Sequence, residues 1–141
     1  MAPLPLRPES AHPRRGRKYC RAVIAGRRTY DLSLPWWGTD GPTGPARVPV
    51  VVLTHAKPQD APEGGVYTFV TDGMERALEE AKAAAGDKDV AVMGGADIGQ
   101  QYFGAGLIDE ISIYLVPVMF GGGARMLENL GSEHIQLETV G

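Results

Sequence analysis

One stretch, Asp89 to Ile98, constrains the fold of this chain more than any other. An apolar run with strand character ends in Gly94 and Gly95, and a helical pattern begins at once. Paired glycines let backbone approach a ligand closely because no Cβ is in the way. The first N–H groups of the helix can meet an anion such as a phosphate. The stretch therefore predicts either a nucleotide site at Gly94–Ile98 or a plain strand-to-helix turn.

A second candidate anion site lies near the start of the chain. Tyr19 to Ala25 is a short apolar run that predicts a buried strand. Gly26 follows it, and two arginines and Thr29 come next, at the expected start of a helix. Arginine offers forked donors to phosphate, and threonine adds a hydroxyl. Alone, the stretch is equally explained by a solvated basic turn with Thr29 as a helix cap.

A third strand end carries polar residues. Val48 to Leu53 is a continuous apolar run, rich in β-branched residues, and is typical of a strand in a buried parallel sheet. Thr54 and His55 follow it directly. Ligands of open α/β sheets bind beyond the carboxyl ends of the strands, so these two side chains are candidate ligand contacts. The alternative is an ordinary strand exit.

The other patterns complete an alternation of strands and helices, which indicates an α/β fold with a largely parallel sheet. Asp72 is expected to cap a helix with Glu75 as its capping-box partner, and Gly86 to end it. The expected apolar stripe of this helix is Met74, Ala77, Leu78, Ala81 and Ala85. The further expectations are a loop over 31–47 containing Trp36 and Trp37, a strand over 66–70, a helix marked by Ile98, Tyr102 and Phe103 with Gly106 just past its end, a strand over 111–116 with Tyr114 and Val116 on one face, a short helix over 124–130, and a last strand over 135–139.

Length and composition exclude several classes of protein. A chain of 141 residues fits one domain, and no apolar run is long enough for a membrane-spanning helix. The single cysteine excludes an internal disulfide framework and favours a reducing compartment, so we expect a cytoplasmic protein. The three histidines are isolated, and we expect no metal site.

The charge of the chain is strongly uneven. Residues 1–28 carry eight Arg or Lys against one Glu, a balance of +7, which leaves −10 for residues 29–141. A basic arm can bind nucleic acid, but this one contains prolines and lacks interleaved aromatic residues. We therefore predict that residues 1–18 form a disordered arm, that residues 19–141 form the domain, and that the chain binds neither nucleic acid nor membrane.

Taken together and in order, the separated motifs resemble those of a known family. They are G-R-x-T after a strand (Gly26, Arg27, Thr29), a strand ending in Thr54, a strand ending in Gly94 and Gly95, the stretch 105–110, and the run 117–123 ending in three glycines. The chain is similar to proteins of the dihydrofolate reductase fold, and more closely to the reductase domain of the bifunctional riboflavin-biosynthesis deaminase–reductase. The resemblance implies a three-layer α-β-α fold with a mostly parallel central sheet.

The resemblance also implies a cofactor, NADPH, and the residues that hold it. Arg27, Thr54 and His55 would meet the adenosine 2′-phosphate, and Thr29 the pyrophosphate. The turn and helix start would hold the pyrophosphate and the nicotinamide side through Gly94, Gly95, Ala96 and Ile98. Asp97 departs from this chemistry, since a carboxylate repels a pyrophosphate unless it only caps the helix.

The implied reaction is the reduction of a pterin- or pyrimidine-like heterocycle of the 5-amino-6-(5-phosphoribosylamino)uracil type, with the substrate lying along Tyr114 and Val116. No residue stands out as a general acid, and the adjacent carboxylates Asp109 and Glu110 would point to opposite faces of a strand. We expect a homodimer. The alternative is a non-catalytic relative that retains a nucleotide pocket or a dimer interface.

The chain departs from the family at both ends. The family's first strand, which lies in the middle of the sheet, has no counterpart in the basic arm, and neither does the loop that carries the catalytic carboxylate. The closing strand after residue 140 is also missing. We therefore expect a sheet without its usual first strand and with unpaired backbone at the gap. The expectation is a truncated reading frame or a gap filled by another chain.

Overall fold

The computed structural model describes residues 20–139 and shows a parallel sheet enclosed by helices. The strands are β1 (Cys20–Gly26), β2 (Val50–Leu53), β3 (Tyr67–Val70) and β4 (Asp89–Met93). The helices are α1 (Arg27–Trp37), α2 (Met74–Ala85) and α3 (Ala96–Gly104), and a 3₁₀ segment covers Gly41–Ala46.

The strands pair in the order β3-β2-β1-β4, and all three pairings are parallel. β1 therefore lies inside the sheet, between β2 and β4. Its core residues Ala22 to Ala25 are buried, as expected for a strand covered on both faces. The predicted α/β class with a parallel sheet is confirmed.

Alternate residues of the strands form two cores, one on each face of the sheet. One face packs against α2 and α3, with Ile24, Ala77 and Tyr102 among its buried residues. The other face packs against α1 through Tyr30 and the alternate residues of β2. The molecule thus has the three layers α-β-α that the resemblance implies.

The prediction of a loop from Asp31 to Arg47 is wrong for its first seven residues, because α1 continues to Trp37. Tyr30, Leu34 and Trp37 are spaced as one helix face and pack on the sheet. The loop prediction rests on the prolines and glycines between residues 35 and 45, of which only Pro35 lies within the helix. Pro35 lies in the last turn of α1, where its missing N–H removes one helical hydrogen bond. The helix ends two residues later, at Trp37.

The cap of α2 also differs from the prediction. Gly73, not Asp72, precedes the helix, and no side chain caps it. Gly73 has a φ of 103°, a conformation open to glycine, and this turn moves the helix start past Asp72. The apolar stripe itself is confirmed, since Ala77, Ala81 and Ala85 are buried, and so is the helix end at Gly86.

The predicted strands at 111–116 and 135–139 and the helix at 124–130 do not form. Residues 107–139 have no regular secondary structure, and the side chains of Tyr114 and Val116 are exposed. A strand needs the backbone of a neighbour. β4 pairs with β1 along one edge, and no strand among the described residues lines its other edge. An alternating sequence without an adjacent strand therefore forms no strand of its own.

The predicted disordered arm, residues 1–18, lies outside the described residues, and the division into arm and domain remains a prediction. The longest helix within residues 20–139 is far shorter than a bilayer is thick, and none is both long and apolar enough to cross one.

Candidate nucleotide-binding site

Three of the predicted site segments meet at one edge of the sheet. In the β1–β2 register Gly26 lies beside Leu53, so Thr54 follows on the next position of that edge. In the β1–β4 register Ala25 lies beside Met93, which places Gly94 at the same edge. The carboxyl ends of three parallel strands therefore bring together residues that are far apart in sequence, at the place where such sheets bind ligands.

Arg27 joins the end of β1 to the end of β2. Its Nη1 donates to Thr54 Oγ1 at 3.2 Å and to the carbonyl oxygen of Ala56 at 2.8 Å. Its Nε donates to Asp31 Oδ1 at 2.8 Å, one helical turn further along α1. The guanidinium is thus held at the sheet edge by acceptors from two elements.

Thr29 joins the end of β1 to the end of β4. The N–H of Gly95 donates to Thr29 Oγ1 at 3.2 Å. Gly94 has a φ of 110°, and a Cβ on it would lie 2.3 Å from Thr29 Oγ1. Glycine is therefore required at residue 94 both by the backbone conformation and by the packing of Thr29. Around Gly95 a Cβ would meet nothing within 4 Å, so the outer side of the turn is open.

Two helices begin at this edge with uncapped N-termini. Neither Gly26 before α1 nor Gly95 before α3 makes a side-chain cap. The N–H groups of the first turn of α3, including those of Ala96 and Ile98, have no intrahelical partner. The Ile98 side chain is buried in the core, so only its backbone can serve a ligand. The φ of Gly26 is −77°, a value that any residue can adopt, so the backbone does not require glycine here. Its missing side chain leaves the end of β1 uncovered.

The first turn of α1 carries an unusual set of charges for a helix N-terminus. The first turn holds Arg27 and Arg28 and no acidic residue. Cations at the positive end of a helix dipole are unfavourable, whereas an anion there is favourable. Asp31, one turn on, offsets only part of this charge. A bound anion at this helix start would therefore be favourable.

The side chains of Thr54 and His55 differ in their availability. Thr54 is buried, its hydroxyl donates to the carbonyl of Ala56 at 2.8 Å, and it accepts the bond from Arg27. Its single proton is therefore already used, and in this arrangement Thr54 supports Arg27. His55 is exposed beside it.

Asp97 does not cap α3. Its Oδ2 accepts a bond from Gln101 Nε2 at 3.3 Å, one turn along the helix. The carboxylate is therefore turned along the exposed side of the helix, and a negative charge in a first turn is favourable to the helix dipole. Asp97 therefore stabilises the start of α3, although its negative charge would repel an anion bound there.

The substrate side of the prediction is not assembled in the same way. Tyr114 and Val116 are exposed and belong to no strand, and Asp109 and Glu110 are also exposed. Within residues 20–139 no three His, Cys, Asp or Glu side chains come together as a metal site.

Two groups at the site were missed by sequence reasoning. Asp31 falls within the predicted loop, although its spacing of four residues from Arg27 is that of a helical ion pair. The Ala56 carbonyl carries no sequence signal at all, since any residue has one. Both hold Arg27 in place.

A comparison with models of protein families identifies the family of the chain. The family model described as RibD C-terminal domain matches residues 9–141, nearly the whole chain. A comparison with curated protein sequences finds no match. The matched family consists of reductase domains of the riboflavin-biosynthesis type, whose fold is that of dihydrofolate reductase. The chain belongs to the RibD C-terminal domain family.

Proposed function

We propose that this chain is an NADPH-dependent reductase of a pterin- or pyrimidine-like heterocycle, of the 5-amino-6-(5-phosphoribosylamino)uracil type. The observation that carries the proposal is the first turn of α1. From residues two positions apart, Arg27 bonds to Thr54 after β2 and Thr29 bonds to Gly95 after β4. The start of α1 thus links the ends of β1, β2 and β4, and Asp31 offsets only part of the positive charge of its two arginines.

The residues fit the chemistry of the cofactor. Arg27, with His55 exposed nearby, would hold the adenosine 2′-phosphate, and Thr54 would support Arg27. Thr29 would meet the pyrophosphate, because its Oγ1 accepts the Gly95 N–H and no described residue accepts its own proton. The first-turn N–H groups of α3 at Ala96 and Ile98 lie next to the open side of Gly95.

Bound NADPH would supply the hydride, and the protein would supply position and charge. The Gly94–Gly95 turn permits close approach of a ring because it presents no side chain. Arg27 and the two helix starts would neutralise the phosphates of the cofactor and so fix the orientation of its nicotinamide end.

The substrate contacts at Tyr114 and Val116 remain a proposal. Their exposure favours a second candidate function, nucleotide binding without turnover, because the segment that would carry the substrate packs on no sheet. Turnover of the heterocycle, followed through the absorbance of the reduced nicotinamide, separates the two functions. Localisation in the cytoplasm is likewise part of the proposal.

The test is calorimetric titration of the 141-residue chain with NADPH and, separately, with NADH. We expect NADPH to bind more tightly, and Arg27→Ala to reduce NADPH affinity by at least about tenfold while leaving NADH affinity nearly unchanged, since a charge-assisted bond to one phosphate is lost. Arg76→Ala is the matched control. Arg76 is also a helical arginine paired with carboxylates, Glu79 and Glu80, and among the described residues its side chain bonds only to these two, not to the residues at the ends of β1, β2 and β4.

Binding of neither nucleotide by folded protein would refute the proposal. Equal loss of NADPH affinity in Arg27→Ala and Arg76→Ala would show that the loss reflects general charge and not a 2′-phosphate site.

A further inference from the structure

Asp31 has no role in the function proposed above, yet it makes the closest ionic contact to Arg27. Arg27 Nε and Asp31 Oδ1 are 2.8 Å apart, four residues along α1. Both side chains are partly exposed, at 37% and 49%. Exposed ion pairs of this spacing add only about 0.3–0.5 kcal/mol to stability. The contact therefore contributes little to folding, and its effect on Arg27 is the larger consequence.

The hydrogen bonds of Arg27 leave one nitrogen available. A guanidinium has five N–H donors. The Nε donor is used by Asp31, and the two Nη1 donors by Thr54 and the Ala56 carbonyl. Within residues 20–139 no acceptor is bonded to Nη2. Three bonds from two elements thus fix the plane of the group, and both remaining donors are on a single nitrogen.

From this geometry we infer that Asp31 is a positioning residue. It orients Arg27 so that Nη2 meets the 2′-phosphate, and it thereby sets the preference for NADPH over NADH. The inference rests on the proposed function. A free arginine side chain gives up about 2 kcal/mol of rotamer entropy when it is fixed. Asp31 fixes it before the cofactor arrives, so less of that entropy is lost on binding.

An opposing effect makes the inference testable. Asp31 is itself an anion near a phosphate site, and simple repulsion would weaken NADPH binding. Orientation and repulsion predict opposite signs for the same substitution. In Asp31→Asn the shape is kept and the charge is lost, so the sign of the change in NADPH affinity decides between them.

The experiment measures NADPH and NADH affinities of the full chain and of three variants, with melting temperatures recorded for each. For Asp31→Asn we expect NADPH affinity to fall about fivefold to tenfold and NADH affinity to stay unchanged. The ratio of NADPH affinity to NADH affinity should therefore fall by the same factor. Asp31→Glu keeps the carboxylate and should restore most of the ratio. Glu80→Gln is the control, since Glu80 forms an exposed helical ion pair with Arg76 on α2.

The outcomes are distinct. Tighter NADPH binding in Asp31→Asn would show repulsion and overturn the inference. An unchanged ratio, with a melting temperature lowered as much as in Glu80→Gln, would make Asp31 only a helix-stabilising residue and also overturn it. If the unaltered chain binds neither nucleotide, the proposed function fails as well. If it prefers NADPH and Asp31→Asn keeps that preference, the inference about Asp31 alone fails.

Discussion

At Gly94 the turn after β4 packs closely against Thr29 of α1. The φ of Gly94 is 110°, and an added Cβ would meet Thr29 Oγ1, Cβ and Cγ2 at 2.3–2.8 Å. Alanine there must both adopt a strained backbone and displace Thr29. We therefore expect Gly94→Ala to lower the free energy of unfolding by more than about 2 kcal/mol and to weaken NADPH binding. Denaturant unfolding and calorimetry measure the two effects.

Gly99→Ala is the matched control, because Gly99 lies within α3 and a Cβ on it meets nothing within 4 Å. It should stabilise the protein by about 0.5–1 kcal/mol, since alanine is the better helix former. A Gly94→Ala variant as stable as Gly99→Ala would contradict the packing of Thr29 against the turn. The sequence identified Gly94 as a special position, but for closeness to a ligand. The contact with Thr29 spans 65 residues, and no local pattern encodes it.

At the scale of elements, two tyrosines attach helices in different ways. Tyr102 on α3 donates its hydroxyl to the carbonyl oxygen of Met74, the first residue of α2, at 2.6 Å. Tyr30 on α1 stacks edge-on against Tyr67 and Phe69, but its buried hydroxyl has no partner among the described residues. Loss of a made hydrogen bond costs about 0.5–1.5 kcal/mol, whereas loss of an unpaired hydroxyl is neutral or favourable. At neutral pH we expect Tyr102→Phe to destabilise the protein and Tyr30→Phe not to, as measured by denaturant unfolding. Equal effects would contradict this difference.

The same bond gives a pH dependence. Burial, with a smaller effect of Glu75, raises the pKa of Tyr102 from 10.0 to about 12. The folded state therefore holds this proton more tightly than the unfolded state does. Its contribution to stability is complete below pH 10 and is lost as pH rises from 10 towards 12. Burial also raises the pKa values of Tyr30 and Tyr67. The pH dependence of wild-type stability therefore combines several tyrosines and does not isolate the contribution of Tyr102. The stability difference between wild type and Tyr102→Phe should narrow above pH 10, and a difference independent of pH up to 11 would contradict it.

Which elements could be predicted follows from the range of the interactions that form them. The sequence predicts β1, β2 and the apolar stripe of α2, because the spacing of their apolar residues is a local pattern. The spacing of Tyr30, Leu34 and Trp37 indicates the full length of α1, but the prolines and glycines between residues 35 and 45 favour a loop over the same stretch. The expected strand over 111–116 has the right alternation and still does not form, because its existence depends on a neighbouring strand and not on its own residues.

At the scale of the whole molecule, the sheet has an open side. β4 is unpaired along one edge in the described part of the chain, and Val90 to Val92 are only half-buried where the corresponding residues of β1 are fully buried. The segment 113–120 exposes an apolar series on the same molecule: Ile113, Tyr114, Leu115, Val116, Val118, Met119 and Phe120. Open edges and exposed apolar segments of high strand propensity promote association. We therefore propose that the chain self-associates, and the expected homodimer is its simplest closed form.

The corresponding prediction compares two leucines. Leu115 is 93% exposed in the apolar segment, and Leu32 is 67% exposed on α1. A lysine at either site removes one exposed leucine and adds one charge, so effects on solubility through net charge are the same. We expect Leu115→Lys to shift light-scattering mass towards the monomer across a concentration series, and Leu32→Lys to leave it unchanged. If both variants shift the light-scattering mass equally, association reflects overall charge and not this segment. A wild type that is monomeric at every concentration would show that the open edge of β4 is tolerated without a partner. A selective effect of Leu115 would instead mean that the segment left unpaired within one chain is covered between chains.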